Sequence, residues 1–169
     1  MSVRNTAKAL IIINNKILLN KNQNTLGDFC WGLPNGAIYY DLPGGGQEKF
    51  ETLEESVTRE IFEETGCSVI VDRLSAICEE IVVRDEQSIG KNMSKIYERH
   101  CHKIHFVFTC RLKDEAAKPA TVKDLDMLES EWVDVEQIAN IPFFPKVIHD
   151  NFDLILGSES VVFLGSERI

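Results

Sequence analysis

Three glutamates, Glu60, Glu63 and Glu64, lie close together in a segment whose apolar spacing predicts an α-helix. Because a helix advances about 100° per residue, the three carboxylates fall within an arc of roughly 100°, and Glu60 and Glu64 lie one turn apart. Like charges at this spacing repel each other, so at least one of these acids is expected to resist ionisation until a cation binds. The pattern therefore predicts a metal site.

The oxygen ligands of this predicted site favour Mg²⁺, for which Mn²⁺ can substitute. Such an ion bridges protein carboxylates to substrate phosphates, acidifies a water for attack at phosphorus and neutralises charge on the leaving oxygens. Three glycines, Gly44, Gly45 and Gly46, precede the helix, and glycine lets the backbone approach phosphates without a Cβ clash. The segment therefore indicates hydrolysis of a phosphate compound, with these glycines as candidate substrate-binding residues.

The helix that must position the glutamates is predicted over residues 52–65. Its apolar residues Leu53, Val57 and Ile61 are spaced by four, and Gly66 can end it in a left-handed conformation. A loop over residues 21–46 with six glycines leads into it. Loops of this length are usually functional, and residues 37–40 within this one predict a short strand.

The rest of the chain shows short apolar runs without regular alternation of strands and helices. This pattern predicts an α/β fold, a mixed sheet covered by helices on both faces, with residues 1–169 forming a single domain. The predicted elements are a hairpin over residues 7–13 and 17–20, strands over 68–71, 75–83, 103–112 and 131–135, a surface loop over 84–98, and helices over 135–139 and 146–156.

Composition excludes several classes of function. The net charge is −9, whereas broad binding to nucleic acid or to an anionic membrane relies on an excess of Lys and Arg. The five cysteines are scattered and include no Cys-x-x-Cys pair, so neither a disulfide framework nor a zinc knuckle is indicated. The apolar run near the N-terminus is too short for a signal peptide or a membrane span. We therefore expect a soluble, cytoplasmic protein.

Residues 45–67 carry a known signature: Gly, five residues, Glu, seven residues, then Arg-Glu-apolar-x-Glu-Glu-x-Gly-apolar. In this segment the chain resembles the Nudix hydrolase superfamily, which implies a Nudix-type α/β/α sandwich with a mixed sheet. Two positions depart from the common pattern, since Phe50 stands where glycine is frequent and Cys67 occupies the closing apolar site. The matching residues are Gly45, Glu51, Arg59, Glu60, Glu63, Glu64 and Gly66.

The resemblance also implies roles for these residues. Glu60 and Glu64 are expected to bind the metal directly, Glu63 is a further ligand or helper, and the Gly45 carbonyl joins them. Arg59 and Glu51 are expected to pair and hold the loop against the helix. The full set of expected catalytic residues is Glu51, Arg59, Glu60, Glu63 and Glu64.

The implied reaction is Mg²⁺-dependent hydrolysis of the diphosphate linkage in a nucleoside diphosphate joined to another moiety. ADP-ribose, a nucleoside triphosphate and a dinucleoside polyphosphate remain open as substrates, because the sequence marks of individual subfamilies are absent. The alternative is a Nudix-fold module that senses a nucleotide without turnover. The expected partner is thus a small-molecule nucleotide, and the oligomeric state is left open, a homodimer included.

Three weaker signals surround the signature. A further acid from a late loop often assists such enzymes, and the candidates are Asp124, Asp126, Glu129 and Glu131. The aromatic residues near the glycines either stack on a nucleobase or pack in the core; these are Trp31, Tyr39, Tyr40 and Phe50, of which Tyr40 is the candidate for substrate binding. The cluster His100, Cys101, His102 and His105 has poor spacing for zinc, because alternate strand residues face opposite sides. It either contacts the substrate or belongs to a plain, partly exposed strand.

Overall fold

The computed structural model describes residues 3–25, 32–83, 101–113 and 126–169. The predicted loop over residues 84–98, together with Trp31, His100 and Asp124, lies outside these ranges. In chain order the elements are β1 (Arg4–Ile13), β2 (Lys16–Gln23), β3 (Ile38–Asp41), β4 (Gly44–Gly46), α1 (Leu53–Thr65), β5 (Val69–Ile81), β6 (His102–Leu112), β7 (Met127–Asp134), a 3-10 helix (Val135–Asn140), α2 (Lys146–Asp150), α3 (Phe152–Gly157) and β8 (Val162–Arg168).

The strands form one mixed eight-stranded sheet in the order β3-β2-β1-β6-β5-β8, with β4 paired to β1 and β7 paired to β2. The pairs β1–β6 and β5–β8 are parallel, and the other pairs are antiparallel. The predicted hairpin is confirmed: Asn14 and Asn15 turn the chain with φ of 50° and 61°, as two-residue hairpin turns require. Strands β1 and β2 pair with each other at only two positions next to the turn. Farther from the turn, β1 pairs with β4 and β2 pairs with β3, so the glycines of β4 lie where β1 and β2 separate.

Alternate residues of the central strands point into two cores, one on each face of the sheet. On one face, Ala9 of β1 and Phe108 of β6 pack with Val57 and Ile61 of α1. On the other face lie Leu10 of β1 and Val107 of β6, together with residues from α2 and α3. The predicted α/β sandwich with a mixed sheet is therefore confirmed.

Helix α1 begins and ends as the sequence predicts. The Thr52 side chain accepts a hydrogen bond from the Glu55 amide, and the Glu55 carboxylate accepts one from the Thr52 amide, which forms a capping box. Gly66 ends the helix with φ of 71°, in the left-handed region. Fixed ends and two fully buried residues, Val57 and Ile61, hold the glutamates of this helix in a defined orientation.

Several elements differ from the sequence prediction. Strand β4 lies inside the predicted loop over residues 21–46, β7 begins at Met127 rather than at residue 131, and the helix predicted over residues 135–139 is a 3-10 helix. The two strands predicted over residues 68–71 and 75–83 are one strand, β5, which continues through the polar residues 72–73. Its pairing with β6 shifts in register at two places, between residues 71 and 73 and between residues 74 and 76. The helix predicted over residues 146–156 is divided at Asn151 into α2 and α3. Strand β8 was missed: its apolar run, Val162 to Leu164, is short and is followed by Gly165 and polar residues. No residue of this strand is buried, as an edge position in the sheet permits. In the described residues, no helix is long and apolar enough to cross a membrane.

Candidate active site

Glu64 connects helix α1 to two strands of the sheet. Its Oε2 atom accepts a hydrogen bond from the Asn20 Nδ2 atom of β2 at 2.8 Å and one from the Gly44 amide of β4, also at 2.8 Å. Gly44 is opposite Lys8 in the antiparallel β1–β4 pair. The adjacent Ala9 amide bonds to the Pro43 carbonyl across the strands, so Lys8 and Gly44 form a pair without hydrogen bonds between them, and the Gly44 amide points away from β1. The carboxylate is therefore fixed against the glycine segment, and only 5% of Glu64 is exposed.

Burial changes the acidity of this carboxylate. It raises the pKa of Glu64 to about 7; the Lys8 ammonium and the bonds from Asn20 and Gly44 lower the pKa, while the Asp41 carboxylate raises it. At neutral pH and without a cation, a large fraction of Glu64 is protonated. A bound cation would favour its charged form, as the sequence prediction for this cluster requires.

Glu60 lies against the neighbouring glycine of the same strand. A methyl group added to Gly45 would lie 2.5 Å from the carboxyl carbon of Glu60, so a larger residue at this position would displace the Glu60 carboxylate. Burial raises the pKa of Glu60, and hydrogen bonding to Arg59 partly offsets the effect. Glu60 and Glu64 thus place two carboxylates with raised pKa beside consecutive residues of β4.

These carboxylates fit a Mg²⁺ ion that takes few ligands from the protein. Their donor atoms are all oxygen, the type that Mg²⁺ prefers, and the backbone of Gly45 lies beside them. Across the ranges that the structure describes, no three His, Cys, Asp or Glu side chains form a complete metal site. An ion held by Glu60 and Glu64 would therefore need backbone oxygen, water or substrate phosphate to complete its coordination.

Arg59 joins the loop before the helix to the glutamates. Its Nε and Nη2 atoms donate to the two carboxylate oxygens of Glu51 at 3.1 and 2.8 Å, and Nη2 also donates to the Gly46 carbonyl at 3.2 Å. Its Nη1 atom donates to Glu60 at 2.8 Å and to Glu63 at 3.3 Å. The bonds from Arg59 are the main cause that lowers the pKa of Glu51 to about 2. The expected contact between Arg59 and Glu51 is thus present, in bidentate form.

Replacing Arg59 with Lys tests the importance of this geometry. Lysine keeps the charge but cannot donate two parallel bonds to Glu51 while also holding Glu60. A displacement of about 1 Å in an active site costs on the order of 10²-fold in rate, so we expect kcat to fall roughly 10- to 10²-fold. Steady-state kinetics measures this, with Lys16→Arg, at the exposed Lys16–Asp134 pair, as the control. An Arg59→Lys enzyme with unchanged kcat would contradict the positioning role.

Sequence reasoning missed a lysine that organises the same segment. The Lys8 Nζ atom donates to the Asp41 carboxylate at 2.8 Å, the Leu42 carbonyl at 2.9 Å and the Gly44 carbonyl at 2.6 Å. It thereby binds the chain that leads into the glycines, and it lies close enough to Glu60 and Glu64 to lower their pKa. A lysine within the apolar run over residues 7–13 was the signal that could have revealed it.

Asn20 was also missed, although it holds Glu64. The Ser130 hydroxyl of β7 donates to the Asn20 Oδ1 atom at 2.8 Å, which orients the amide so that its nitrogen faces Glu64. Asn20 is buried at the end of the apolar run over residues 17–19. A buried amide must be hydrogen-bonded, so its position was a signal that the sequence did offer.

Tyr40 and two of the late acids form a separate group on the other face of β2. The Tyr40 hydroxyl donates to Glu131 at 2.8 Å, and Lys21 lies 3.4 Å from Glu131 and 3.7 Å from Glu129. Tyr40 and Lys21 are cross-strand partners, one position away from Asn20, so their side chains face away from Glu64. The expected substrate contact of Tyr40 and the choice among the late acids stay predictions.

The other weak signals are also separated by the structure. Thr25 donates to Asp126, away from the glycines. His105 is buried and lies 2.8 Å from the Thr6 hydroxyl, whereas His102 contacts Glu79 on the opposite face of β6. Of the other residues in the histidine–cysteine cluster and the aromatic set, Cys101 and Tyr39 are buried, and Phe50 is fully exposed.

A family model described as the NUDIX domain matches residues 3–152. Among solved structures, the chain is similar to a NUDIX hydrolase from Nitrosomonas europaea, with 19% identity, 92% of this chain and 90% of that chain covered, and a TM-score of 0.64. An ADP-ribose pyrophosphatase from Streptococcus suis 89-1591 has 20% identity, coverage of 96% and 99%, and a TM-score of 0.60. A MutT protein from Bacillus halodurans has 20% identity, coverage of 98% and 90%, and a TM-score of 0.60. The search of curated proteins gave no match. At these identities, the solved structures show a shared fold.

Proposed function

Because the chain belongs to the NUDIX domain family, we propose that it is a Mg²⁺-dependent pyrophosphohydrolase acting on a nucleoside diphosphate joined to another moiety. The observation that carries the proposal is the placement of Glu60 and Glu64 against β4. Glu64 is bonded to the Gly44 amide, and Glu60 occupies the space beside the Cα of Gly45. One buried carboxylate, one partly buried carboxylate and a glycine backbone that a phosphate can approach meet at one place.

In this proposal the protein side chains have distinct tasks. Glu60 and Glu64 would hold the ion together with the Gly45 carbonyl, and Mn²⁺ can take the place of Mg²⁺. When bound, the ion acidifies a water and neutralises charge on the diphosphate. Glu63, whose side chain is one-third exposed, would serve as a further ligand or accept a proton from the water. Arg59 and Glu51 keep the loop and the ion-binding face aligned.

The family and the composition support the proposed substrate class. Two proteins of the same fold are described as an ADP-ribose pyrophosphatase and as a MutT protein. We therefore propose a small-molecule nucleotide as the partner, with its phosphates near Gly44 to Gly46. The four described cysteines, Cys67, Cys78, Cys101 and Cys110, are buried thiols, which suits the cytoplasmic location that belongs to the same proposal.

A substrate panel tests the function directly. ADP-ribose, a nucleoside triphosphate and a dinucleoside polyphosphate would be incubated with millimolar Mg²⁺, with lower Mn²⁺, and with excess chelator. We expect a nucleoside monophosphate to be released from at least one substrate with either ion, and no release in chelator. Full turnover in chelator would refute the metal mechanism. Nucleotide binding without turnover under every condition would instead favour a sensing module.

A further inference from the structure

Phe50 has a backbone conformation that phenylalanine rarely adopts. Its φ is 71°, in the left-handed region that glycine favours and that Asn tolerates. In the described part of the chain, the other non-glycine residues with positive φ are Asn14 and Asn15, which form the hairpin turn. Phe50 is therefore strained where glycine would be relaxed.

No packing compensates for this strain. The Phe50 side chain is fully exposed, whereas Tyr39, another aromatic residue near the glycines, is buried against the edge of Phe144. An exposed aromatic ring in a strained conformation lowers the stability of the fold twice, by the strain and by the exposed apolar surface. The structure thus rules out core packing as the reason for this ring.

The loop on both sides of Phe50 is fixed, so the ring is presented in a defined place. Glu51 accepts hydrogen bonds from Arg59 and from the Glu48 amide, and the Gln47 side chain donates to the Glu51 carbonyl at 2.9 Å. Arg59 in turn donates to Glu60. Phe50 therefore directly precedes Glu51, whose side chain is connected through Arg59 to Glu60, a proposed metal ligand.

We propose that Phe50 is a substrate-contacting residue whose ring stacks on the nucleobase of the nucleotide; this inference rests on the proposed function. Phe50 directly precedes Glu51, which Arg59 connects to Glu60, so the ring stands on the loop next to the proposed ion-binding face. An exposed aromatic face binds a planar base by stacking, without hydrogen bonds to its edge. The neighbouring Glu48 and Lys49 are exposed as well, so a base can reach the ring.

The variant Phe50→Asn removes the ring and keeps a residue that tolerates positive φ. We expect its melting temperature to stay equal or rise, because strain and apolar exposure decrease. We also expect it to raise KM for the nucleotide about 10-fold with little change in kcat, as loss of a base stack acts on binding. Phe50→Tyr retains the ring and should keep KM. The matched control is Phe163→Asn, which removes an exposed ring from the edge strand β8 and should leave KM unchanged.

Binding without turnover separates this inference from the proposed function. Calorimetry with Mg²⁺ would compare ADP with inorganic pyrophosphate, which has no base. We expect Phe50→Asn to weaken ADP binding about 10-fold and to leave pyrophosphate binding unchanged. Failure of the unchanged protein to bind either compound would refute the proposed function.

Three results would overturn the stacking role. If both ligands bind the unchanged protein and Phe50→Asn equally well, Phe50 makes no contact with the base while the proposed function stands. If both affinities fall together, Phe50 acts through the shape of the loop. If the affinities are unchanged and Phe50→Asn dissociates an oligomer in sedimentation experiments, the ring is a contact between copies of the chain.

Discussion

Replacing Glu64 with Gln is expected to lower kcat by at least about 10²-fold while the enzyme keeps its fold. Asn20 and Gly44 both donate to the same oxygen of Glu64, Oε2, and the amide oxygen of glutamine can accept both bonds. The substitution therefore retains the position of the side chain and removes one negative charge from the proposed metal site. Loss of a major electrostatic contribution to the transition state has an effect of this size.

Steady-state kinetics at saturating Mg²⁺ measures the effect on kcat. The control is Glu54→Gln, which makes the same chemical change at an exposed position in the first turn of α1 and should leave kcat unchanged. Circular dichroism would show whether both variants remain folded. A Glu64→Gln enzyme with near-normal turnover would mean that the metal ligands have been misassigned.

The double variant Glu60→Gln/Glu64→Gln is expected to be more stable than the unchanged protein without metal, and to gain nothing from Mg²⁺. Burial raises the pKa of both carboxylates, that of Glu64 to about 7, above the ordinary value near 4.5. Folding therefore disfavours their charged forms. For Glu64 the cost is fully present above pH 7, amounts to about 3 kcal/mol, and disappears as the pH falls from 7 towards 4.5.

The same carboxylates explain the expected response to metal. An ion that binds only the folded protein at 100 times its Kd adds about 2.7 kcal/mol of stability. For a domain of this size, that corresponds to a rise in Tm of roughly 5–10 °C. The double variant should lose this response because both proposed ligands have lost their charge.

Thermal melts of both proteins, with and without Mg²⁺, at pH 8 and pH 5 test the two effects together. Without metal, the advantage of the double variant should be large at pH 8 and small at pH 5. Other groups, such as Glu51 and His105, titrate in both proteins, so the difference between the two melts isolates the exchanged carboxylates. Equal stabilisation of both proteins by Mg²⁺ would show that the ion binds elsewhere.

Local sequence was sufficient to predict the helix and the grouping of its acids. Thr52 and Gly66 determine where α1 begins and ends, and the helical repeat alone places Glu60 and Glu64 one turn apart. The contact between Arg59 and Glu51 could be expected from the resemblance, because both residues belong to the signature. These features depend on residues within a span of sixteen positions, 51–66.

The partners that hold the acids could not be predicted in the same way. Asn20 reaches Glu64 only because β2 and β4 are both neighbours of β1, and Lys8 faces the glycines only because β1 pairs with β4. No local pattern encodes such pairings. Likewise, the face on which Tyr40 and Glu131 lie depends on strand register, since a shift by one residue would turn both side chains to the side of Asn20.

The side chains that hold Glu64 have a consequence for how this protein can vary. Among the described residues, Glu64 and the three groups that organise its surroundings, Lys8, Asn20 and Gly44, all belong to the first 64 positions. The later strands pack against α1 through residues such as Phe108, and they add one hydrogen bond to this group, from the Ser130 hydroxyl to Asn20. The hydrogen bonds that hold Glu64 therefore tolerate variation at exposed positions of the edge strand β8, where the surface can change while these bonds are retained.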